Sequence, residues 1–85
     1  MLFAEQIRAA RGLLDWTQRE LADQAGVSLS TVKRMEAGAG PAQGHGRNIW
    51  ALQETLEKAG IRFLGPGEAD AGPGVCLKAR TERDA

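Results

Sequence analysis

The sequence predicts a mainly α-helical fold, four short helices followed by a short C-terminal β-hairpin, and three observations predict it. Between residues 3 and 59 apolar side chains recur at three- and four-residue steps, the spacing that lines one face of a helix. Helix-start signals at Thr17 and Ser28, with glycines at 26, 38 and 60, cut that stretch into segments. After Gly60 the pattern changes to two short, partly alternating apolar runs bounded by glycine and proline, Ile61-Arg62-Phe63-Leu64 and Val75-Cys76-Leu77-Lys78, which read as a hairpin.

Taken in order, the first helix spans Phe3 to Leu14, with Phe3, Ile7, Ala10 and Leu14 inward and Glu5, Arg8 and Arg11 between them; Gly12 sits near its end. Thr17-Gln18-Arg19-Glu20 is a capping box. The Thr17 hydroxyl accepts from the Glu20 backbone N–H, the Glu20 carboxylate reaches back, and Trp16 staples onto Leu21. A second helix therefore begins at Gln18 and leaves through Gly26 in a left-handed conformation. Ser28 caps a third helix running to about Ala37, with Val27 and Val32 as its staple pair and Met35 inward. A loop from Gly38 to Gly46, with four glycines and one proline, leads to a fourth helix. Arg47 and Asn48 open it, Ile49, Leu52, Leu56 and Ala59 face inward, Gly60 closes it, and Trp50 is a candidate for exposure at an interface. The expected organisation is a helical domain over residues 1–60, a hairpin over 61–79 and a flexible charged tail over 80–85.

An 85-residue chain holds one small module, not a sensor domain with an output domain. Of about 36 hydrophobic positions 14 are alanines, leaving 22 larger apolar side chains for the core. So thin a core points to oligomerisation as a source of stability. Eleven Lys and Arg balance eleven Asp and Glu, so no global field draws the chain to nucleic acid or membrane and any asymmetry is local. The single cysteine, Cys76, excludes an internal disulfide framework and fits a reducing cytoplasm. His45 has no second His or Cys at ligand spacing, so no metal site is expected. No apolar run approaches the ~20 residues that cross a bilayer, and Glu5 follows the start at once. A soluble, cytoplasmic chain without membrane segment or cofactor is the expectation. Gly38-Ala39-Gly40 and Gly44-His45-Gly46 lack the preceding strand of nucleotide-binding loops. No Ser/His/Asp set assembles around the single histidine, and no enzyme is expected.

What remains is a pair of short helices joined by a Gly-centred turn, the second presenting Ser30, Thr31, Lys33 and Arg34 outward. Polar residues near the start of such a helix reach base edges in a major groove, while helix N-termini at Gln18 and Ser28 favour phosphate. The consecutive residues Thr17-Gln18-Arg19-Glu20-Leu21-Ala22-Asp23-Gln24-Ala25-Gly26-Val27-Ser28-Leu29-Ser30-Thr31-Val32-Lys33-Arg34-Met35-Glu36-Ala37-Gly38 closely resemble the phage-repressor (Cro/CI, Xre-type) helix-turn-helix family. With the flanking helices the resemblance covers about residues 3–60.

The resemblance implies a lambda-repressor-like domain that binds double-stranded operator DNA as a homodimer. It implies base contacts from Ser28, Leu29, Ser30 and Lys33, and from Arg34 a contact to a base or a phosphate. Phosphate contacts would come from Thr17, Gln18, Thr31, Arg47 and Asn48. Arg11 and Glu36 match the family's buried ion pair, which sets the angle of the recognition helix. Two departures stand out: the loop over residues 39–46 is unusually Gly-rich, and a hairpin replaces the fifth helix. Gly72-Pro73-Gly74-Val75 resembles the strand pairs that end some small bacterial members. A lone hairpin is marginal and leaves edge groups unpaired, so pairing with a second copy would bury Ile61, Phe63, Val75 and Leu77. Residues 28–48 carry a net charge of +2, from Lys33, Arg34 and Arg47 against Glu36, so affinity should depend on dimerisation and salt. The reading is a sequence-specific transcriptional regulator, more in keeping with repression than activation. The alternative from another class is an antitoxin or adaptor-like module that grips a protein partner.

Overall fold

The computed structural model describes residues 2–65 and 72–78. In chain order it contains α1 (Ala4–Leu14), α2 (Gln18–Ala25), α3 (Leu29–Glu36), α4 (Gly46–Lys58), β1 (Ile61–Leu64) and β2 (Gly74–Leu77). The architecture is the one expected: four helices and a two-stranded antiparallel hairpin, a lambda-repressor-like arrangement. The expected charged tail at 80–85 and residues 66–71 of the hairpin connection lie outside the described residues.

The caps written in the sequence are made. Thr17 Oγ1 accepts the Glu20 N–H at 3.0 Å while Glu20 Oε1 accepts the Thr17 N–H at 2.8 Å, satisfying two donors that a helix start leaves orphaned. Ser28 Oγ accepts the Thr31 N–H at 3.1 Å. Gly26, at φ 72°, ends α2 in the left-handed region that glycine enters without strain. Unlike α2, α1 closes through Asp15 at φ 60°, and Gly12 lies within the helix. Each of the other boundaries falls within a residue or two of its expected place, β2 starting at Gly74 instead of Val75.

One core joins the four helices and β1, through Ile7 and Ala10, Leu21 and Ala22, Val32 and Met35, Leu52 and Leu56, and Ile61, with Val75 and Leu77 of β2 packed against it. Each large side chain among them is essentially inaccessible, a burial that contributes roughly 1.5–3 kcal/mol per side chain. Phe3 and Leu14, expected inward on α1, are only half-buried; Ala4 and Gln6 take the interior places beside Ile7 and Ala10. Of the other large hydrophobics, Leu13 on α1 and Trp50 on α4 are exposed, Trp50 by 61%.

The hairpin pairs Ile61 with Leu77, Arg62 with Cys76, Phe63 with Val75 and Leu64 with Gly74. Alternation then gives one face to Ile61, Phe63, Val75 and Leu77. That face, expected to be buried by a second copy, packs on the protomer's own core. Ile61 is 1% exposed and belongs to the central cluster, while Phe63, Val75 and Leu77 pack half-buried against it. The physical reason is proximity. Gly60, at φ 112°, turns the chain back directly after α4, so β1 returns over the helices before any partner is needed.

Two long-range ties hold the ends of this assembly. Gln6, almost fully buried, donates from Nε2 to the carbonyls of Leu64 (3.1 Å) and Gly74 (2.9 Å), and its Oε1 accepts the Phe3 N–H at 2.9 Å. The loop before α4 is fastened to the chain start by Ala4 N–H to Gly40 O (2.8 Å) and Ala42 N–H to Leu2 O (2.9 Å), around an antiparallel bridge between Phe3 and Pro41. Among the described residues no helix is long and apolar enough to cross a membrane.

Candidate nucleic-acid interface

The eight residues of α3 divide cleanly around the helix. Val32, Met35 and Glu36 are buried, and Ser30, Lys33 and Arg34 are exposed. At about 100° per residue, Ser30 sits at the centre of the outward arc with Lys33 on one side and Arg34 on the other. Leu29 and Thr31, both half-buried, border that arc. The length is about 12 Å, enough to present two turns to a groove. Ser28 is exposed at the N-cap. Its hydroxyl is committed to Thr31 N–H and also meets Thr31 Oγ1 at 2.8 Å and Ser30 Oγ at 3.1 Å. The three hydroxyls thus form one hydrogen-bonded cluster at the leading end of α3. Its remaining donor and acceptor capacity faces solvent.

The buried end of α3 is held by an ionic network. Arg11 Nε and one terminal nitrogen bind Glu36 Oε2 and Oε1 at 2.6 and 2.9 Å, a fork-on-fork geometry that fixes orientation as well as distance. The other terminal nitrogen donates to Trp16 O at 2.9 Å. Glu36 is 3% exposed and Arg11 22%. The bond to Glu36 pushes the Arg11 guanidinium up from its ordinary value, against the opposing effect of burial. The ion pair implied by the resemblance is therefore present, joining α1 to the last turn of α3. Arg8, one turn earlier on α1, donates to the carbonyls of Glu36 and Gly38. It satisfies acceptors that a helix C-terminus leaves free and places a cation where the dipole favours one.

Gln18, expected to hold a phosphate, is half-buried, and its Nε2 donates to Glu36 Oε1 at 3.2 Å, leaving one amide N–H for another acceptor. A buried carboxylate with acceptor capacity left after the Arg11 fork draws in the nearest amide. Thr17 stays exposed but spends its oxygen on the cap, leaving its O–H as the outward group. At α4, His45 is the N-cap without a side-chain cap bond, Arg47 is exposed and Asn48 half-buried around an open depression of about 480 Å³. The loop leading there is seated on α3: a Cβ placed on Gly44, at φ 132°, would lie 3.4 Å from Met35 Cε. The four hairpin residues of the expected dimer interface belong to a separate part of the molecule, on the core side of β1 and β2.

Three contributors escaped the sequence reading. Gln6 stands three residues after the N-cap, the position of a capping box's returning side chain, which was a readable signal. Arg8 is spaced three residues from Arg11 and so shares its side of α1. Glu5 holds the Gly40 N–H at 3.1 Å, and nothing in the local sequence announces that contact. Among the described residues no three His, Cys, Asp or Glu side chains gather to hold a metal ion.

Comparison with known proteins agrees with this geometry. A family model described as helix-turn-helix matches residues 7–45, from the core side of α1 through α3 to the threshold of α4. No curated protein matches the chain. Over residues 7–45 the chain is thus similar to the DNA-binding helix-turn-helix of the phage-repressor (Cro/CI, Xre-type) family.

Proposed function

We propose that the protein is a sequence-specific transcriptional repressor that binds an inverted-repeat operator as a homodimer, inserting α3 into the major groove. The observation that carries this reading is the outward arc of α3, where Ser30, Lys33 and Arg34 stand exposed on a helix whose opposite face is buried and clamped by Arg11. Ser28, Leu29, Ser30, Lys33 and Arg34 would meet base edges, Leu29 by packing on a thymine methyl. Thr17, Thr31, Arg47 and Asn48 would hold phosphates. Gln18 joins them through the N–H that Glu36 does not use. A two-fold dimer sets two such helices about 34 Å apart, one turn of duplex. Occupying a promoter at that spacing represses by exclusion.

Selection of duplexes from a random DNA library at about physiological salt tests the reading, because non-specific binding is weak there. An enriched inverted repeat supports it and gives the half-site spacing. If the folded protein enriches nothing, the operator reading falls and the antitoxin or adaptor class takes its place, with exposed Trp50 and Leu13 as the first surface to probe.

A further inference from the structure

We propose that the groove between α1 and the start of β2 binds a small apolar cation, an aromatic or alkyl body whose ammonium group pairs with Glu5. No residue of the outward arc of α3 lines this groove, so the site is separate from the one that would meet DNA.

The groove is open and encloses about 430 Å³, within the ~300–1,000 Å³ of small-molecule sites. Phe3 at the N-cap of α1, Gln6 and Ala9 line it at three-residue steps, which puts them on one side of the helix. Pro73 and Val75 line it from the hairpin. Phe3 and Val75 are half-buried, and Ala9 and Pro73 are exposed. Apolar surface on both sides therefore faces solvent, and an apolar body laid between them would take it out of water.

The hydrogen-bonding character of the lining is one-sided. Gln6 is the one side chain of the lining with N–H groups, and it spends both, on Leu64 O at 3.1 Å and Gly74 O at 2.9 Å. The Phe3 N–H goes to Gln6 Oε1, and the Gly40 N–H goes to Glu5, at 3.1 Å from Oε1 and 3.3 Å from Oε2. Pro73 has no N–H to give. What the side chains leave unused is acceptor capacity on Glu5, because a carboxylate offers about four lone-pair sites. Its own backbone N–H and that of Gly40 hold the Glu5 carboxyl below its ordinary value, so it carries a full negative charge at neutral pH. Among the described residues the ion pairs are Arg11 with Glu36 and Lys58 with Glu54, and Arg8 donates to the carbonyls of Glu36 and Gly38. Glu5 thus stands at an apolar trough without a cation of its own.

Such a trough chooses its occupant by charge. An anion meets a like charge and no side-chain donor. A neutral apolar molecule gains the two sides alone, and an apolar ammonium gains the sides and the carboxylate.

The test is an NMR titration of the isotope-labelled full chain with phenethylammonium chloride near neutral pH, and in parallel with phenethyl alcohol and sodium phenylacetate, its neutral and anionic counterparts. The ammonium should shift the amides of Glu5, Ala9, Gly40 and Gly74 saturably, with a Kd on the order of millimolar for so small a probe. It should bind about two- to fivefold tighter than the alcohol, and phenylacetate should bind weakest. Glu5→Gln keeps an oxygen for the Gly40 N–H and should lower the ammonium to the affinity of the alcohol without changing the alcohol's own. Ala9→Phe, at an exposed position, should fill the groove and abolish binding of both while circular dichroism stays that of wild type. Absence of saturable shifts at these amides, equal affinity for the three probes, or equal shifts from ammonium chloride alone would overturn the site. So would a preference for the ammonium that survives Glu5→Gln.

Discussion

Replacing Glu36 by leucine is expected to destabilise the domain by about 3 kcal/mol, because it strands the Arg11 guanidinium at the base of α3. The carboxylate accepts three hydrogen bonds, two from Arg11 at 2.6 and 2.9 Å and one from Gln18 at 3.2 Å, and is 3% exposed. Removing one partner of a buried ion pair costs about 3–5 kcal/mol, mostly the penalty on the charge left behind. Arg11 keeps 22% of its surface in water and its bond to Trp16 O, which sets the expectation at the lower end. Urea unfolding followed by tryptophan fluorescence reads it directly. With a slope of about 1–1.5 kcal/mol/M the midpoint should fall by about 2–3 M. The double change Arg11→Met with Glu36→Leu removes the stranded charge and should recover at least ~1 kcal/mol relative to the single Glu36→Leu change. A loss below about 1 kcal/mol in the single variant, or a double variant no better than the sum of its parts, would refute the view that this pair is a clamp on α3.

Gln6→Ala removes three hydrogen bonds at a buried position and should cost about 2–3 kcal/mol at roughly 1 kcal/mol each; amide exchange should show the hairpin losing protection first, and uniform loss would contradict the staple. The Glu5 carboxyl is held below its ordinary 4.5 by its own backbone N–H and then by that of Gly40. Its contribution is therefore complete above pH 4.5 and fades as pH falls through the lowered value. The Gly40 amide resonance should titrate with a midpoint under 4.5, and a midpoint at or above 4.5 would remove the contact. Lys33→Ala should weaken operator binding by about 1–3 kcal/mol if Lys33 reads a base, measured by fluorescence anisotropy; unchanged affinity would take it out of the site. Phe63→Asp puts a charge against the protomer's own core, so circular dichroism should report lost stability of about 1–3 kcal/mol, and a fully stable monomer would show that the hairpin face serves only a partner.

The limits of α2 and the start of α3 were legible because they fall on residues with local chemistry. Thr17 with Glu20, Ser28 with Thr31, and Gly26 act within a few residues of themselves, so sequence spacing carries the whole instruction. The alternation of Ile61, Phe63, Val75 and Leu77 correctly marked one apolar face. It contained nothing about what would cover that face, since burial by helices of the same chain and burial by a second copy demand the same residues. Gln18 illustrates a second limit: its position at a helix start was readable, but the pull of Glu36, eighteen residues away, exists only after α2 and α3 have docked. The contacts of Gln6 with Leu64 and Gly74 span 58 and 68 residues, and a glutamine on a helix gives no local sign of them.

Within its eleven residues α1 carries Gln6, which grips the hairpin, and Arg8 and Arg11, which grip the end of α3. Residues 6 and 11 are separated by about 7.5 Å of helix, with no joint between them to absorb a displacement. Whatever shifts the hairpin must move this rod or strain it, and the rod ends on α3, the element proposed to face DNA. Linkage makes the relation mutual: if pairing at the hairpin favours one setting of α3, engagement of α3 must favour pairing by the same factor. On that reading α1 is a stiff element through which assembly and recognition would register one another.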